Sequence, residues 1–209
     1  MKASSKAILL VVLALGVLSV AACGGAESAG NQGKGAQEHE KTEAEGGSMA
    51  SEMLMEGGEY SDVKFIDAMI PHHQGAVEMA QVALENARHE ELRKLSRQII
   101  AAQEEEIETL QVIRERETGD PSMPMDMSDG SGEMMGMVDP EELARKRPFD
   151  RAFIDAMIPH HESAIEMAQV ASEESDIPEI QGLAEDIIEA QTLEIDRLRD
   201  WREEWYPEG

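Results

Sequence analysis

The chain has 209 residues, and its 44 acidic and 18 basic side chains give a formal net charge of −26 at pH 7. Nucleic acid is therefore excluded as a partner, because phosphate backbones are bound by basic surfaces. Aromatic residues make up only 3% of the chain, whereas Ala, Leu, Ile, Met and Glu are abundant, which favours helices over sheets. The single cysteine rules out an intramolecular disulfide, which leaves six histidines and fourteen methionines as candidate metal ligands.

Residues 1–22 have the pattern of a secretory signal segment. Lys2 and Lys6 precede an apolar run at residues 8–20, which is too short to span a membrane comfortably. The small residues before Cys23 resemble the lipobox of bacterial lipoproteins. That resemblance implies cleavage before Cys23, lipidation of its thiol, and an extracytoplasmic protein anchored to the cell membrane. The alternative is an ordinary signal peptide with a chance cysteine.

The segment from residue 23 to residue 61 is predicted to be a disordered tether. It is rich in Gly, Glu, Ser, Ala and Gln and shows no helical period over most of its length. A random coil of this length would span about 35 Å. His39 lies within it and would be at most an auxiliary metal ligand.

One stretch occurs twice, at residues 65–83 and again at 153–171, with 16 of the 19 positions identical and an offset of 88 residues. Each copy carries a histidine doublet shortly after a methionine: His72 and His73 in the first copy, His160 and His161 in the second. A repeat of this kind fixes the architecture of the fold. It also predicts a doubled or shared metal site.

A helical hairpin is predicted around each copy. In the first copy Ile66, Ile70 and Val77 recur on one face, which is the period of a core-facing helix. Pro71 and Pro159 lie inside the pattern and should kink or break the helix. Two hairpins with one apolar face each should pack as an all-α four-helix bundle. The predicted hairpins are 62–118 and 150–206, with helices over 62–86, 91–117, 151–175 and 177–205.

Polar side chains on the inner faces should lie level with the histidine doublets. In an antiparallel hairpin that turns near residue 88, Gln103 and Glu106 come within one turn of His72 and His73. Buried polar groups are unfavourable unless something binds them, and imidazole beside a methionine favours copper. The predicted metal ligands are His72, His73, His160, His161, Met69, Met157, Glu106, Glu194, Gln103 and Gln191.

Three alternatives stay open at these positions. The histidines could form one shared central cluster or two separate sites, and the bundle could be up-down or have a crossover. The structural alternative to a metal site is a hydrogen-bonded histidine pair beneath each proline, with Gln103 and Glu106 as partners. His89, in the turn, has no counterpart in the second repeat and is predicted to be a surface residue. Trp201 and Trp205 are expected to close one end of the core.

A methionine-rich linker, residues 119–149, joins the hairpins. Thioethers are soft ligands that select Cu(I), by analogy Ag(I), and they are stable in an oxidising compartment. The alternative is an adaptable linker whose methionines pack on the bundle surface. Met79 and Met167, about 10 Å along the helix from the doublets, are expected to be core residues or part of a second site. The auxiliary candidates are Met123, Met125, Met127, Met134, Met135, Met137, Met79 and Met167.

The repeated stretch resembles the uncharacterised domain family numbered 305. The matching pattern, Phe-Ile-Asp-x-Met-Ile-Pro-His-His-x-x-Ala-[Ile/Val]-x-Met-Ala, begins at Phe65 and Phe153, and Gln-x-x-Glu-Ile follows at Gln103 and Gln191. The resemblance covers both hairpins and implies a ferritin-like bundle and extracytoplasmic copper binding. The family typically has a methionine shortly after that Glu-Ile, where this chain has leucine at positions 110 and 198.

The resulting prediction is a copper-binding lipoprotein, not an enzyme, that sequesters copper or hands it on for copper tolerance, with Cu(II) held by histidines and Cu(I) by methionines. Its expected partners are metal ions, the membrane through Cys23, and an unidentified metallochaperone or exporter. Two other functions are compatible with the pattern. One is a metal-free helical interaction module. The other is a ferritin-like dinuclear redox enzyme, which would need more inward carboxylates than Glu106 and Glu194.

Overall fold

The computed structural model of the chain describes residues 52–120 and 137–207. Within these ranges the chain forms a short β-hairpin followed by five helices, so the prediction of an all-α four-helix bundle is confirmed. The two strands are β1 (Met55–Glu56) and β2 (Glu59–Tyr60), and the helices are α1 (Asp62–Asn86), α2 (Glu90–Thr118), α3 (Pro140–Arg145), α4 (Phe149–Glu174) and α5 (Pro178–Trp205).

Local signals account for where the long helices begin and end. The Ser61 hydroxyl accepts a hydrogen bond from the backbone N–H of Lys64 and caps the start of α1. Gly119, with φ of 72°, ends α2 in the left-handed conformation that glycine adopts without strain. Pro71 and Pro159 lie inside continuous helices, so neither proline breaks its helix.

The core forms two clusters that show how the hairpins are arranged. The first contains Phe65 and Met69 from the start of α1 together with Met167 from the end of α4, whereas the second joins Met79 to Phe153. Helices α1 and α4 are therefore antiparallel, and the same clusters pair the end of α2 with the start of α5. This is the crossover topology, which the sequence left open, and the link between hairpins must travel the length of the bundle.

The described end of that link is ordered along α1. Met137 packs against the first core cluster, and α3 places the buried Leu143 in the second cluster. Helix α1 has 25 residues, about 38 Å at 1.5 Å per residue. The crossover itself therefore requires a long connection. The predicted linker of 119–149 includes one short helix, α3, and the first residue of α4.

The last part of the predicted disordered tether is ordered. Strands β1 and β2 pair antiparallel through the turn at Gly57 and Gly58, both of which have positive φ. Leu54, just before the hairpin, is fully buried in the first core cluster. The sequence analysis missed this element because two-residue strands carry no period and one leucine is a weak signal.

His89 is not simply a surface residue, contrary to the sequence analysis. Its imidazole stacks on Trp205 with ring centroids 3.8 Å apart, and Trp205 stacks on Trp201 at 5.1 Å. Asp150, which is 1% exposed, accepts hydrogen bonds from the backbone N–H of Arg88 and His89 and contacts the His89 ring at 2.6 Å. This cluster holds the start of α2 against the start of α4 at one end of the bundle.

Several predictions fall on residues outside the described ranges. They concern the signal segment of residues 1–22, lipidation of Cys23, His39, and the linker methionines Met123, Met125, Met127, Met134 and Met135. In the described part of the chain, no helix has the length and apolar character needed to cross a bilayer.

Candidate metal centre

Four histidines meet where α1 crosses α4, between the two core clusters. His72, His73, His160 and His161 are each 0% exposed. The rings of His72 and His160 lie face against face with centroids 3.8 Å apart and an interplanar angle of 39°. Within each doublet the two rings are more than 6 Å apart and turned edge to face. The fold therefore produces one shared central pair and one outer histidine on each side.

Each outer histidine contacts a glutamate of its own hairpin. His73 Nε2 lies 2.8 Å from Glu106 Oε2, and His161 Nε2 lies 2.8 Å from Glu194 Oε2. In neither pair do the ring nitrogens have hydrogen-bond geometry. Each outer pair therefore brings an imidazole nitrogen and a carboxylate oxygen, both of which can be metal ligands, into direct contact.

The central pair is asymmetric because the two repeats differ at one position. Ser163 of α4 donates its hydroxyl proton to the backbone carbonyl of His160, so its oxygen accepts from His72 Nε2 at 2.8 Å. This arrangement places the His72 proton on Nε2. The equivalent residue in α1 is Gly75, which offers no hydroxyl to His160. A side chain on Gly75 would begin 3.5 Å from His160 Nε2.

His160 is held as a neutral base. Burial, together with the charge repulsion of His72, His161 and His73, keeps the pKa of its imidazole well below 6.5, and the nearby backbone of His72 opposes this only slightly. Neither of its ring nitrogens has a hydrogen-bond partner among the described residues. A buried imidazole without such a partner is costly, and its lone pair is available to a metal.

The two predicted glutamines line the same layer. Gln103 is 2% exposed and Gln191 is 3% exposed, so both are buried as predicted. The Oε1 atom of Gln103 and both amide atoms of Gln191 have no hydrogen-bond partner among the described residues. Together with His73, His160 and His161, they form a mid-bundle layer in which buried polar atoms lack hydrogen-bond partners among the described residues.

The core clusters show which methionines lie on the same side of the histidine layer. Met69 and Met157, each predicted to lie beside its own doublet, are in different core clusters, because the antiparallel crossing groups Met69 with Met167 and Met79 with Met157. All four are at most 1% exposed. Met137 lies beside Gly75: its Sδ is 3.6 Å from where a Cβ on Gly75 would be, and His160 Nε2 is 3.5 Å from that same point.

A ready-made site of conventional ligands is not present in residues 52–120 and 137–207. No three His, Cys, Asp or Glu side chains converge there as metal ligands. Each outer pair offers one imidazole and one carboxylate, and the centre offers imidazoles beside a thioether. Such a mixed nitrogen and sulfur set suits copper rather than hard cations, provided methionines complete the coordination.

One residue of this site, Ser163, was not predicted from the sequence, and for Met137, an auxiliary candidate, only the position was not. Ser163 was not singled out, although position 75/163 is one of three positions at which the repeats differ. The place of Met137 beside Gly75 was also missed, because it depends on the crossover path of the linker. The predicted contacts of the doublets with Glu106 and Glu194 are present.

Comparison with protein-family models matches residues 62–202 to the domain of unknown function DUF305. No curated protein matches the chain.

Three solved structures of one protein, CopM, are similar to this chain. The Cu(II)-bound form shares 41% identity with a TM-score of 0.66, covering 71% of this chain and 99% of CopM. The Cu(I)-bound form shares 38% identity with a TM-score of 0.64, at the same coverage. The form co-crystallised with Ag shares 38% identity with a TM-score of 0.63, again over 71% of this chain and 99% of CopM.

Proposed function

The chain belongs to the DUF305 family, and from this membership and the histidine layer we propose that it is a membrane-anchored extracytoplasmic protein that binds copper. It sequesters copper or hands it on, and so contributes to copper tolerance. The similarity to CopM, solved with Cu(I), Cu(II) and Ag bound, supports a copper-related metal-binding role. The anchor is the predicted lipid on Cys23.

The observation that carries the proposal is the state of the four buried histidines. They lie at 0% exposure between two apolar clusters, and the ring nitrogens of His73, His160 and His161 lack hydrogen bonds of good geometry among the described residues. A purely structural histidine in a core is normally satisfied by a partner. Burying these nitrogens without hydrogen bonds costs free energy in the metal-free chain, and coordination of a metal ion by the same nitrogens offsets that cost.

The chemistry divides between the two oxidation states of copper. His73 with Glu106, and His161 with Glu194, supply the nitrogen and oxygen donors that Cu(II) prefers. His160 beside Met137 supplies a nitrogen and a soft sulfur donor for Cu(I), with the other predicted methionines as further donors. Because the pKa of His160 is lowered, one of its ring nitrogens is unprotonated and can bind the metal without first losing a proton.

Copper titration of the purified chain tests this proposal. We expect saturable binding of Cu(I) and Cu(II) that weakens at least tenfold when His72, His73, His160 and His161 are changed to glutamine. His89→Gln is the control, because His89 contacts Asp150 and Trp205 at the end of the bundle rather than the histidine layer, and it should leave the affinity unchanged. Equal stoichiometry and affinity in the fourfold variant and the parent would contradict the proposal.

Two finer parts of the proposal have their own tests. Cys23→Ala should move the protein from the membrane fraction to the soluble extracytoplasmic fraction, because the lipid anchor is lost. The protein is also proposed to bind copper without turnover. Sustained oxygen consumption by the copper-loaded chain with a reductant would contradict that part and favour a redox enzyme.

A further inference from the structure

The bundle has two equivalent surface grooves between α2 and α5, and they differ in charge. The repeat relates them, because adding 88 to Glu91, Lys94 and Gln98 gives Glu179, Gly182 and Asp186. The first groove is lined by Ala102, Glu105, Glu106, Thr109, Glu179, Gly182, Leu183 and Asp186. The second is lined by Glu91, Lys94, Leu95, Gln98, Arg197 and Trp201.

Four carboxylates line the first groove, whereas the second has two basic side chains and one acidic. Arg116 contacts Glu179 at 3.0 Å and offsets part of the negative charge at one edge. The first groove has a volume of about 570 Å³, which admits a cation with its hydration water. Clefts lined by one sign of charge concentrate the opposite ion and speed its association.

The first groove leads to the histidine layer through Glu106. Its side chain lines the groove and is 16% exposed, while its Oε2 is buried against His73 Nε2 at 2.8 Å. Both ring nitrogens of His73 lack hydrogen-bond geometry with any described residue, as does the buried Oε1 of Gln103 in the same layer. Because His73 contacts Glu106, its imidazole is the first buried histidine that a cation held by Glu106 would meet. Glu194 holds the equivalent position in the second hairpin, but it is not among the side chains that line the second groove.

From this arrangement we infer that copper ions reach the buried histidines from one side, through the acidic groove that ends at Glu106 and His73. Glu105, Glu179 and Asp186 attract the cation, and Glu106 passes it to His73. This inference rests on the proposed copper-binding function. It adds the side of the bundle from which copper enters. It also identifies Glu105, Glu179 and Asp186 as residues that speed the association of copper without being its ligands in the buried layer.

Stopped-flow absorbance with aquated Cu(II) and the full chain at low ionic strength tests the inference. The groove variant combines Glu105→Gln, Glu179→Gln and Asp186→Asn. The matched control combines Glu78→Gln, Glu91→Gln and Glu173→Gln, which are exposed and change the net charge equally. We expect the groove variant to associate about tenfold more slowly and the control within about twofold of the parent, with dissociation unchanged in both.

Raising the salt concentration should remove the difference, because exposed charges are screened. Equal association rates for the groove variant and the control would overturn the inference while leaving the copper site intact. Loss of one bound copper per chain in the groove variant, with the rate unchanged, would also overturn it, since the groove would then be a separate site. If the parent shows no saturable Cu(II) binding, both the inference and the proposed function are wrong.

Discussion

At the residue scale, one difference between the repeats decides how the central histidines behave. Ser163 accepts from His72 Nε2 and donates to the His160 carbonyl, whereas Gly75 leaves His160 beside Met137. Two nearly identical stretches thus yield one hydrogen-bonded histidine and one neutral base. At the crossing of α1 and α4 the two central histidines therefore form an asymmetric pair, flanked by two similar histidine–glutamate pairs.

Ser163→Ala should destabilise the metal-free chain by roughly 1–2 kcal/mol, because the buried Nε2 of His72 loses its acceptor. Ser172→Ala is the matched control. The Ser172 hydroxyl also donates a hydrogen bond to a backbone carbonyl three residues earlier, that of Gln169, but on an exposed surface. We expect its effect to stay below about 0.5 kcal/mol. Urea unfolding measures both, and equal effects would contradict the role given to Ser163.

The metal-free chain should lose stability as the pH falls below about 6.5. The pKa of His160 is lowered in the folded state, first by burial and then by neighbouring histidines, so the unfolded chain binds a proton there that the folded chain does not. His160→Gln should make the free energy of unfolding less steeply dependent on pH between about 5 and 6.5. Identical slopes for the two chains in urea titrations would show that His160 is not held neutral.

At the element scale, the repeat produces two equivalent ion pairs with different surroundings. Asp67 and Arg114 join α1 to α2 at 2.5 Å with side chains 9% and 6% exposed. Their counterparts, Asp155 and Arg202, join α4 to α5 at 2.6 Å with side chains 47% and 20% exposed. Both pairs hold a hairpin in register, and the buried pair is the one that leaves a costly charge when broken.

Asp67→Asn should therefore destabilise the chain by roughly 3 kcal/mol, because Arg114 keeps its charge in a buried position. Asp155→Asn, the same change at the equivalent site, should cost less than about 1 kcal/mol, since an exposed pair is screened by water. Thermal and urea unfolding of the two variants provide the comparison. Equal losses would contradict the difference in burial on which this prediction rests.

Helix-level features were largely predictable from the sequence because they depend on local signals. The apolar period placed α1 at residues 62–86, as observed. The β-hairpin at Met55–Tyr60 was missed, since its anchor is the tertiary burial of Leu54. The partner of His89 was missed for the same reason, because Asp150 belongs to the other hairpin.

At the scale of the whole molecule, the crossover explains both the long linker and the position of the site. Because α1 and α4 are antiparallel, their doublets meet at mid-height, and the linker passes the layer and places Met137 there. The repeat predicted a layer of histidines at mid-height. The antiparallel register of each hairpin predicted that Glu106 and Glu194 lie level with it, and both contact a histidine there. Which methionines share a cluster depends on the direction of α4, which no local pattern encodes.

Deleting residues 126–133 tests whether the linker that crosses the bundle supplies a Cu(I) ligand. The link must cover a bundle about 38 Å long, and 30 residues, 119–148, connect α2 to α4. The remaining 22 residues can still span this distance when extended, so we expect the bundle to fold and its histidine layer to be kept. Cu(I) capacity should fall, because the deletion removes Met127 as a soft sulfur ligand. Unchanged Cu(I) capacity would show that Met127 is not a ligand.

Anomalous diffraction at the copper edge from crystals of the copper-loaded chain shows directly whether the histidine layer binds the metal. We expect copper within bonding distance of a ring nitrogen in this layer, at His73 with Glu106, His161 with Glu194, or His160 with a methionine sulfur. Copper found only on the acidic surface, with the ring nitrogens of all four buried histidines unbound, would contradict it.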